Sequence, residues 1–199
     1  LGDVYKRQIK GTIKTCTIKR ELNNWYVCFA CEVEPMLLPK TNKVIGVDMG
    51  LEKFATLSDN TMIENPKYLR KSESKLKCEQ RKLSRKKKGS NSRKKQRTKV
   101  AKIHRKVKNQ RNDFLHKESC KLVTNYDVIV FEDLRIKNMV KNHRLAKSIS
   151  DASWSKFVEY ATYKAVSAGK EVILVNPRNT SQICSGCGKS VPKGLSVRG

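Results

Sequence analysis

Hydrophobic and polar positions change period several times along the chain, and each change marks an element. Between residues 9 and 34 the period is two. Ile9, Gly11, Ile13, Thr15 and Thr17 alternate with polar neighbours, and Trp25–Val33 is rich in aromatic and β-branched side chains. This pattern predicts two strands with a turn at Asn23-Asn24, and Pro35 and Pro39 mark a linker after them. The segment from Lys43 to Gly50 then reads as an apolar strand ending in Asp48, Met49 and Gly50. Phe54–Leu57 and Thr61–Ile63 complete a three-strand meander about a turn at Asp59-Asn60.

From residue 66 to residue 124 the period lengthens to three and four. Pro66 suits a helix start. Val100, Ile103, Val107 and Phe114 form a seam on one arm, Leu76 and Leu83 on the other, and Lys88–Ser92 separates the arms. A helical hairpin with a thin apolar seam is expected. Asp127–Asp133 follows as a short apolar strand that again ends in acids, and Arg135–Ser150 as a polar stretch without an element. Residues 153–168 predict an amphipathic helix with Trp154, Phe157, Val158, Ala161 and Ala165 on one side. Gly169 stops that helix, Glu171–Val175 reads as another buried strand, and the remainder is loop-like.

Charge changes the picture most at the hairpin. The 199 residues carry 44 Lys and Arg against 18 Asp and Glu, a formal net charge of +26. Arg70–Arg111 alone holds 20 Lys and Arg against two acids, Glu73 and Glu79, and so supplies +18 of it. Charge of one sign on that scale opposes compaction by self-repulsion and calls for a polyanionic partner. A phosphate backbone fits best, because each neutralised phosphate releases counterions whatever the base sequence. The candidate backbone-binding side chains are Lys82, Arg85, Lys86, Lys87, Lys88, Arg93, Lys94, Lys95, Arg97, Lys102 and Arg105. Basic helices of this kind track backbone shape and carry no base code.

The chain has no apolar run of membrane-spanning length and no signal-peptide pattern. Seven cysteines, an odd number, point to a reducing cytoplasm. Residues 1–8 fit the following strand poorly and read as a foreign or disordered lead. The opening Leu1 and the patternless close at Gly199 read as the ends of a fragment.

Two constellations could carry chemistry. Asp48 and Glu132 each end a Val/Ile-rich strand, where ligands of open sheets gather. Alternation along the second strand puts Val128, Val130 and Glu132 on one face and Asp133 on the other. Two carboxylates there suit Mg²⁺, which takes one or two carboxylates together with water and substrate phosphate. Spacing alone favours plainer roles, an Asp-x-Gly turn and a helix-capping acid. Cys184 and Cys187, followed by Gly188, have the spacing of half a structural zinc site, with a redox pair as the competing reading. Cys28 and Cys31 share the spacing but sit mid-strand, on opposite faces, and read as small core residues.

The order of these motifs closely resembles the TnpB (OrfB) proteins of bacterial insertion sequences, relatives of the compact type V CRISPR nucleases. The resemblance runs from Gly-Val-Asp48-Met-Gly50, across the basic insert, to Val-Phe-Glu132-Asp-Leu. It continues through Trp154 and Phe157 to Thr180-Ser-Gln-Ile-Cys-Ser-Gly-Cys187-Gly188, and so covers roughly residues 9–199. It implies an α/β fold: an RNase H-like (RuvC) nuclease domain over 40–176 with its basic helical-hairpin insert at 66–124. The end of a β-barrel domain at 9–39 would precede it and the first half of a zinc ribbon at 177–199 would follow. It implies a two-metal Mg²⁺ site with Asp48 and Glu132 as first and second acids, and Zn²⁺ on Cys184 and Cys187. The family's third acid follows a second cysteine pair, and neither occurs in these 199 residues, so cleavage by this piece alone is in doubt. The implied activity is RNA-guided, Mg²⁺-dependent DNA cleavage, with guide RNA and target DNA as partners and no membrane. A DDE-like strand-transfer enzyme and a non-catalytic zinc-ribbon RNA- or DNA-binding accessory protein are the alternatives.

Overall fold

The computed structural model describes Ile9 and residues 11–176. In chain order the elements are β1 (Thr12–Glu21), β2 (Asn24–Glu32), β3 (Val44–Met49), β4 (Lys53–Leu57), β5 (Met62–Glu64), α1 (Tyr68–Ser84), α2 (Asn91–Asn125), β6 (Val128–Glu132), α3 (Ile136–Met139), α4 (His143–Ala152), α5 (Trp154–Ala168) and β7 (Glu171–Val175). This is a mixed α/β architecture. The chain divides into two compact units. The first holds the described residues up to Pro39, with Tyr68–Leu115 and Ser167–Gly169; the second holds Lys40–Lys67, His116–Val166 and the described residues from Lys170 on.

The second unit is built on a five-stranded sheet in the order β5-β4-β3-β6-β7. β3, β4 and β5 form an antiparallel meander, while β6 lies parallel to β3 and β7 parallel to β6. One face is packed. It carries Ile45, Val47 and Met49 of β3 with Ile129 and Phe131 of β6, all buried. Against it lies α5, whose buried side chains Trp154, Phe157, Ala161, Ala165 and Ala168 recur at three and four. Three small alanines let the helix approach the sheet closely, and Phe157 supplies the bulk. Its ring stands edge-on to Phe54 at 5.0 Å and to Phe131 at 5.7 Å. Phe54 reaches this core as the extra residue of a β-bulge: Lys53 pairs with Glu64, but Ala55 already pairs with Ile63.

Asp127 ties the strand starts together. Its Oδ2 accepts from Thr41 N at 2.8 Å and Asn42 N at 2.7 Å, and its Oδ1 from Thr41 Oγ1 at 3.0 Å. Lys170 Nζ lies 3.3 Å from Oδ1, with only 3% of its side chain exposed. The β4–β5 turn is fixed by Asp59, which accepts from Thr61 N and from the Tyr126 hydroxyl. On the other side of α5, Lys164 Nζ donates to His116 O at 2.6 Å and to the buried Ser119 Oγ at 2.8 Å, and Tyr160 stacks on His116. These contacts pin α5 to the C-terminal end of α2.

In the first unit β1 and β2 form an antiparallel hairpin, and α1 runs antiparallel to α2. Leu76, Val100 and Val107 are buried in the helical seam, as their spacing predicts. Leu115 is fully buried where the periodicity pointed to its neighbour Phe114, which is half-buried beside Tyr68. The turn at Lys88–Ser92 is present, with Gly89 at φ +82°, a conformation that favours glycine.

Four expectations need correction. The β1–β2 turn is Leu22-Asn23, because Glu21 pairs with Asn24 and Asn24 already belongs to β2. Cys28 is exposed and Cys31 half-buried, so neither is a core residue. A two-stranded sheet has no interior of its own, and Ile18 and Trp25 on the Cys31 face are 69% and 67% exposed. The stretch 135–150 is not without elements. It contains α3 and most of α4, capped by the Asn142 side chain, with Ile149 and Ala152 buried. Finally β7 is an edge strand, with Ile173, Leu174 and Val175 exposed rather than buried. Among the described residues no helix is long and apolar enough to cross a membrane.

Two predictions follow from the packing. Phe157→Ala removes a fully buried ring between two others and lowers unfolding free energy by about 3–5 kcal/mol, measured by denaturant titration. For Asp127, burial pushes the carboxyl up, but the hydrogen bonds from Asn42, Thr41 and Lys170 outweigh it and hold it below its ordinary 3.8. A depressed carboxylate stabilises the fold above its unfolded value, and that contribution is lost as pH falls through the folded value. The melting temperature therefore drops on acidification below about pH 4, and Asp127→Asn shows a shallower drop from a lower starting point.

Candidate functional site

The two acids singled out by sequence are brought together by register. Val44 pairs with Val128, Ile45 with Ile129, Gly46 with Val130 and Val47 with Phe131, all parallel. The next step of the same register sets Asp48 abreast of Glu132, on strands about 4.8 Å apart. Since Ile45, Val47 and Met49 fill the packed face, alternation sends Asp48 to the other face, and the same holds for Glu132 after Phe131. Asp48 is exposed and Glu132 half-buried, so both carboxylates stand at the open ends of two parallel strands. Asp133 is exposed and lies off this alternation, with its backbone N–H donating to Val175 O at 2.8 Å.

Local chemistry explains the Asp-x-Gly sequence. The Gly50 N–H donates to Phe54 O at 3.2 Å to close the β3–β4 turn. A Cβ on Gly50 would meet Lys53 O at 2.9 Å, closer than backbone tolerates. On the antiparallel side Asp48 faces Thr56.

The donor set suits a hard divalent ion. Two carboxylates side by side leave the remaining positions to water and phosphate oxygen, which is the arrangement Mg²⁺ favours. Among the described residues no group of three or more His, Cys, Asp or Glu forms a fuller metal cage. Cys184 and Cys187 lie outside the described residues.

The basic side chains divide by structural role. Arg93 is half-buried and spans the end of α1, donating from Nη1 to Leu83 O at 2.9 Å and Lys86 O at 3.0 Å. Arg105 donates to Glu21 O at 3.4 Å and ties α2 to β1. Lys86 bonds Ser92 Oγ, and Lys82 pairs with Glu79. Hydrogen bonds from Lys82 and Gln96 hold the Glu79 carboxyl below its ordinary range. These four residues help hold the hairpin in shape. Arg85, Lys87, Lys88, Lys94, Lys95, Arg97 and Lys102 are exposed along the turn and α2.

The structure adds a groove on α1 that joins two of the sequence candidates, Lys82 and Arg85, to three further basic side chains. Its volume is about 720 Å³, and it is lined by Arg70, Lys77, Arg81, Lys82 and Arg85 with Glu73, Ser74 and Cys78. Its basic positions recur at helical spacing over about 22 Å of axis. The sequence signal for it is the helical spacing of Arg70, Lys77, Arg81 and Arg85, which lies outside the densest run of charge at the turn.

Residues 28–143 match the sequence model OrfB_IS605, described as "Probable transposase", and residues 154–198 match the "Cas12f1-like, TNB domain". A Streptomyces pristinaespiralis protein named "Putative RNA-guided DNA endonuclease" is 39% identical over 176 residues, which is 87% of this chain and 44% of the relative. InsQ of Escherichia coli K12, named in the same words, is 34% identical over 198 residues, covering 92% and 49%. A TnpB-like protein of Methanocaldococcus jannaschii is 35% identical over 92 residues, 45% of this chain and 21% of the relative. The chain thus spans about half the length of the first two relatives. Among solved structures, a Cas12f1–sgRNA–target DNA complex superposes with a TM-score of 0.46 at 17% identity, covering 87% of this chain and 45% of that one.

Proposed function

The chain belongs to the OrfB_IS605 family of probable transposases, and from that premise we propose that it forms the nuclease portion of an RNA-guided DNA endonuclease of an insertion sequence. The observation that carries this reading is the register of β3 and β6, which sets Asp48 and Glu132 abreast on one open face. The meander followed by two parallel strands is the sheet expected of an RNase H-like domain, and it supports that finer assignment. Two curated relatives named as RNA-guided DNA endonucleases support the activity.

In this reading Asp48 and Glu132 hold Mg²⁺, which supplies an activated water and charge stabilisation at the scissile phosphate. The residues of the chain do the rest. Buried β3 and β6 fix the two carboxylates at one spacing, and Gly50 turns the backbone away so that Asp48 stays open. The basic face of α1 and α2 holds a phosphate backbone and reads its shape, while pairing with the guide RNA reads sequence. Zn²⁺ on Cys184 and Cys187 is proposed from the family resemblance.

Two measurements test the proposal. Mn²⁺, as a paramagnetic stand-in for Mg²⁺, should broaden the NMR signals of residues around Asp48 and Glu132, and Asp48→Asn or Glu132→Gln should each abolish that broadening. Persistence of the effect in both variants would remove the metal site. On the α1 groove, replacing Arg70, Lys77 and Arg81 together by Gln should flatten the dependence of log affinity on log salt for single-stranded nucleic acid. The slope should fall by about two, one phosphate contact being worth about 0.7. An unchanged slope would place the backbone elsewhere.

A further inference from the structure

Beside Glu132 lies a cavity of about 200 Å³ at the C-terminal ends of β3, β6 and β7, closed on one side by the start of α5. Its walls are mostly apolar, from Met49, Leu134, Ile136, Val158 and Leu174, with Ser155, Asp133 and Glu132 as the polar members, and it is lined also by Trp154. Trp154 is 3% exposed, and among the described residues its Nε1 has no hydrogen-bond acceptor. An indole N–H can only donate, and a buried donor without an acceptor is uncommon enough in native proteins to need a reason.

We propose that this cavity seats one nucleobase of the strand presented to Asp48 and Glu132, with Trp154 Nε1 donating to an acceptor atom on the base edge. The inference rests on the nuclease reading, because that reading brings a phosphodiester to the adjacent carboxylates. A nucleotide whose phosphate sits at those acids must place its base within a few bond lengths of them. The chemistry of the cavity selects a base over the other parts of a nucleotide. Asp133 at its rim repels a phosphate, and the mostly apolar walls cover a flat base more fully than a sugar. A flat neutral ring with acceptor atoms on one edge satisfies both the walls and the orphan donor. The volume suits a single ring system, being smaller than the cavities that hold drug-sized ligands.

The test uses the full 199-residue chain with Trp25→Phe, which leaves Trp154 as the single tryptophan. Trp25 is an exposed hairpin residue, so the replacement leaves the core untouched. With Ca²⁺ in place of Mg²⁺, to hold phosphate while suppressing cleavage, an end-labelled oligothymidylate and an abasic oligomer of equal length are titrated in, and binding is followed by anisotropy. Both are expected to bind, and the base-bearing strand alone is expected to quench Trp154 emission. A parallel oligouridylate titration tells a DNA strand from an RNA strand by which quenches at lower concentration. In the chain carrying the natural Trp25, Trp154→Phe removes the donor together with one ring of the indole and leaves an aromatic side chain in the wall. It should weaken oligothymidylate binding about fivefold, the size of one neutral hydrogen bond, and leave the abasic strand unchanged. Val158→Phe, which fills the cavity while keeping Trp154, should show the same selectivity and guards against a folding defect in the first variant. Equal quenching by both strands, or unaltered emission at saturation, overturns the base pocket while leaving backbone binding intact. Failure of both strands to bind overturns the nuclease reading with it.

Discussion

The structure turns on one constraint, the in-register parallel pairing of β3 with β6. Antiparallel neighbours need only a tight turn, but a parallel neighbour needs the chain to travel back before it can pair. Here the return path is long. It runs through β4, β5, α1 and α2, and every residue of the basic hairpin lies on it. The paired carboxylates and the basic hairpin are therefore linked by topology. The strands that fix the carboxylates require a crossover, and the crossover is where the positive charge was placed.

That placement has an energetic cost, since like charges on adjacent helices repel. Polar ties within the hairpin offset it. Gln96 is buried between the arms and donates to Glu79 O and, at 2.6 Å, to Glu79 Oε2. Glu79 in turn pairs with Lys82, Glu73 with Lys77, and Arg93 holds the carbonyls at the end of α1. The two acids of the basic window are thus both engaged in pairing. With few apolar side chains in the seam, hydrogen bonds set the register of the two arms, and most of the charge stays outward for a polyanion to neutralise.

Much of the fold was legible because each period met a single competing force. The 153–168 helix was readable from Trp154, Phe157, Ala161 and Ala165, and Asp48 and Glu132 from their place at strand ends. Other features depend on partners that local pattern does not name. The bulge at Phe54 exists because β5 runs out of register with β4, and the buried Gln96 has its partner seventeen residues away. α4 was hidden by its polar content, although Leu145, Ile149 and Ala152 keep helical spacing. The cysteines of β2 resembled core residues because strand propensity says nothing about whether a second layer covers the strand. The division of the arginines into structural and exposed ones was invisible from sequence, since it is set by carbonyls such as Leu83 O and Glu21 O.

The alternation that carries Asp48 and Glu132 to the open face also governs how the gene can drift. A strand repeats every two residues, so losing one codon between Val44 and Asp48 would send the carboxylate into the packed face beside α5, and the interval from Val128 to Glu132 is bound in the same way. Point substitutions among these residues remain open to selection, whereas insertions and deletions are not. The hairpin tip is the opposite case. Gly89 has no neighbouring atom within 4 Å of where a side chain would begin, so length can vary there without moving the seam. Lineages of this family should therefore differ in the size of the insert while keeping the residue count within each of the two strands.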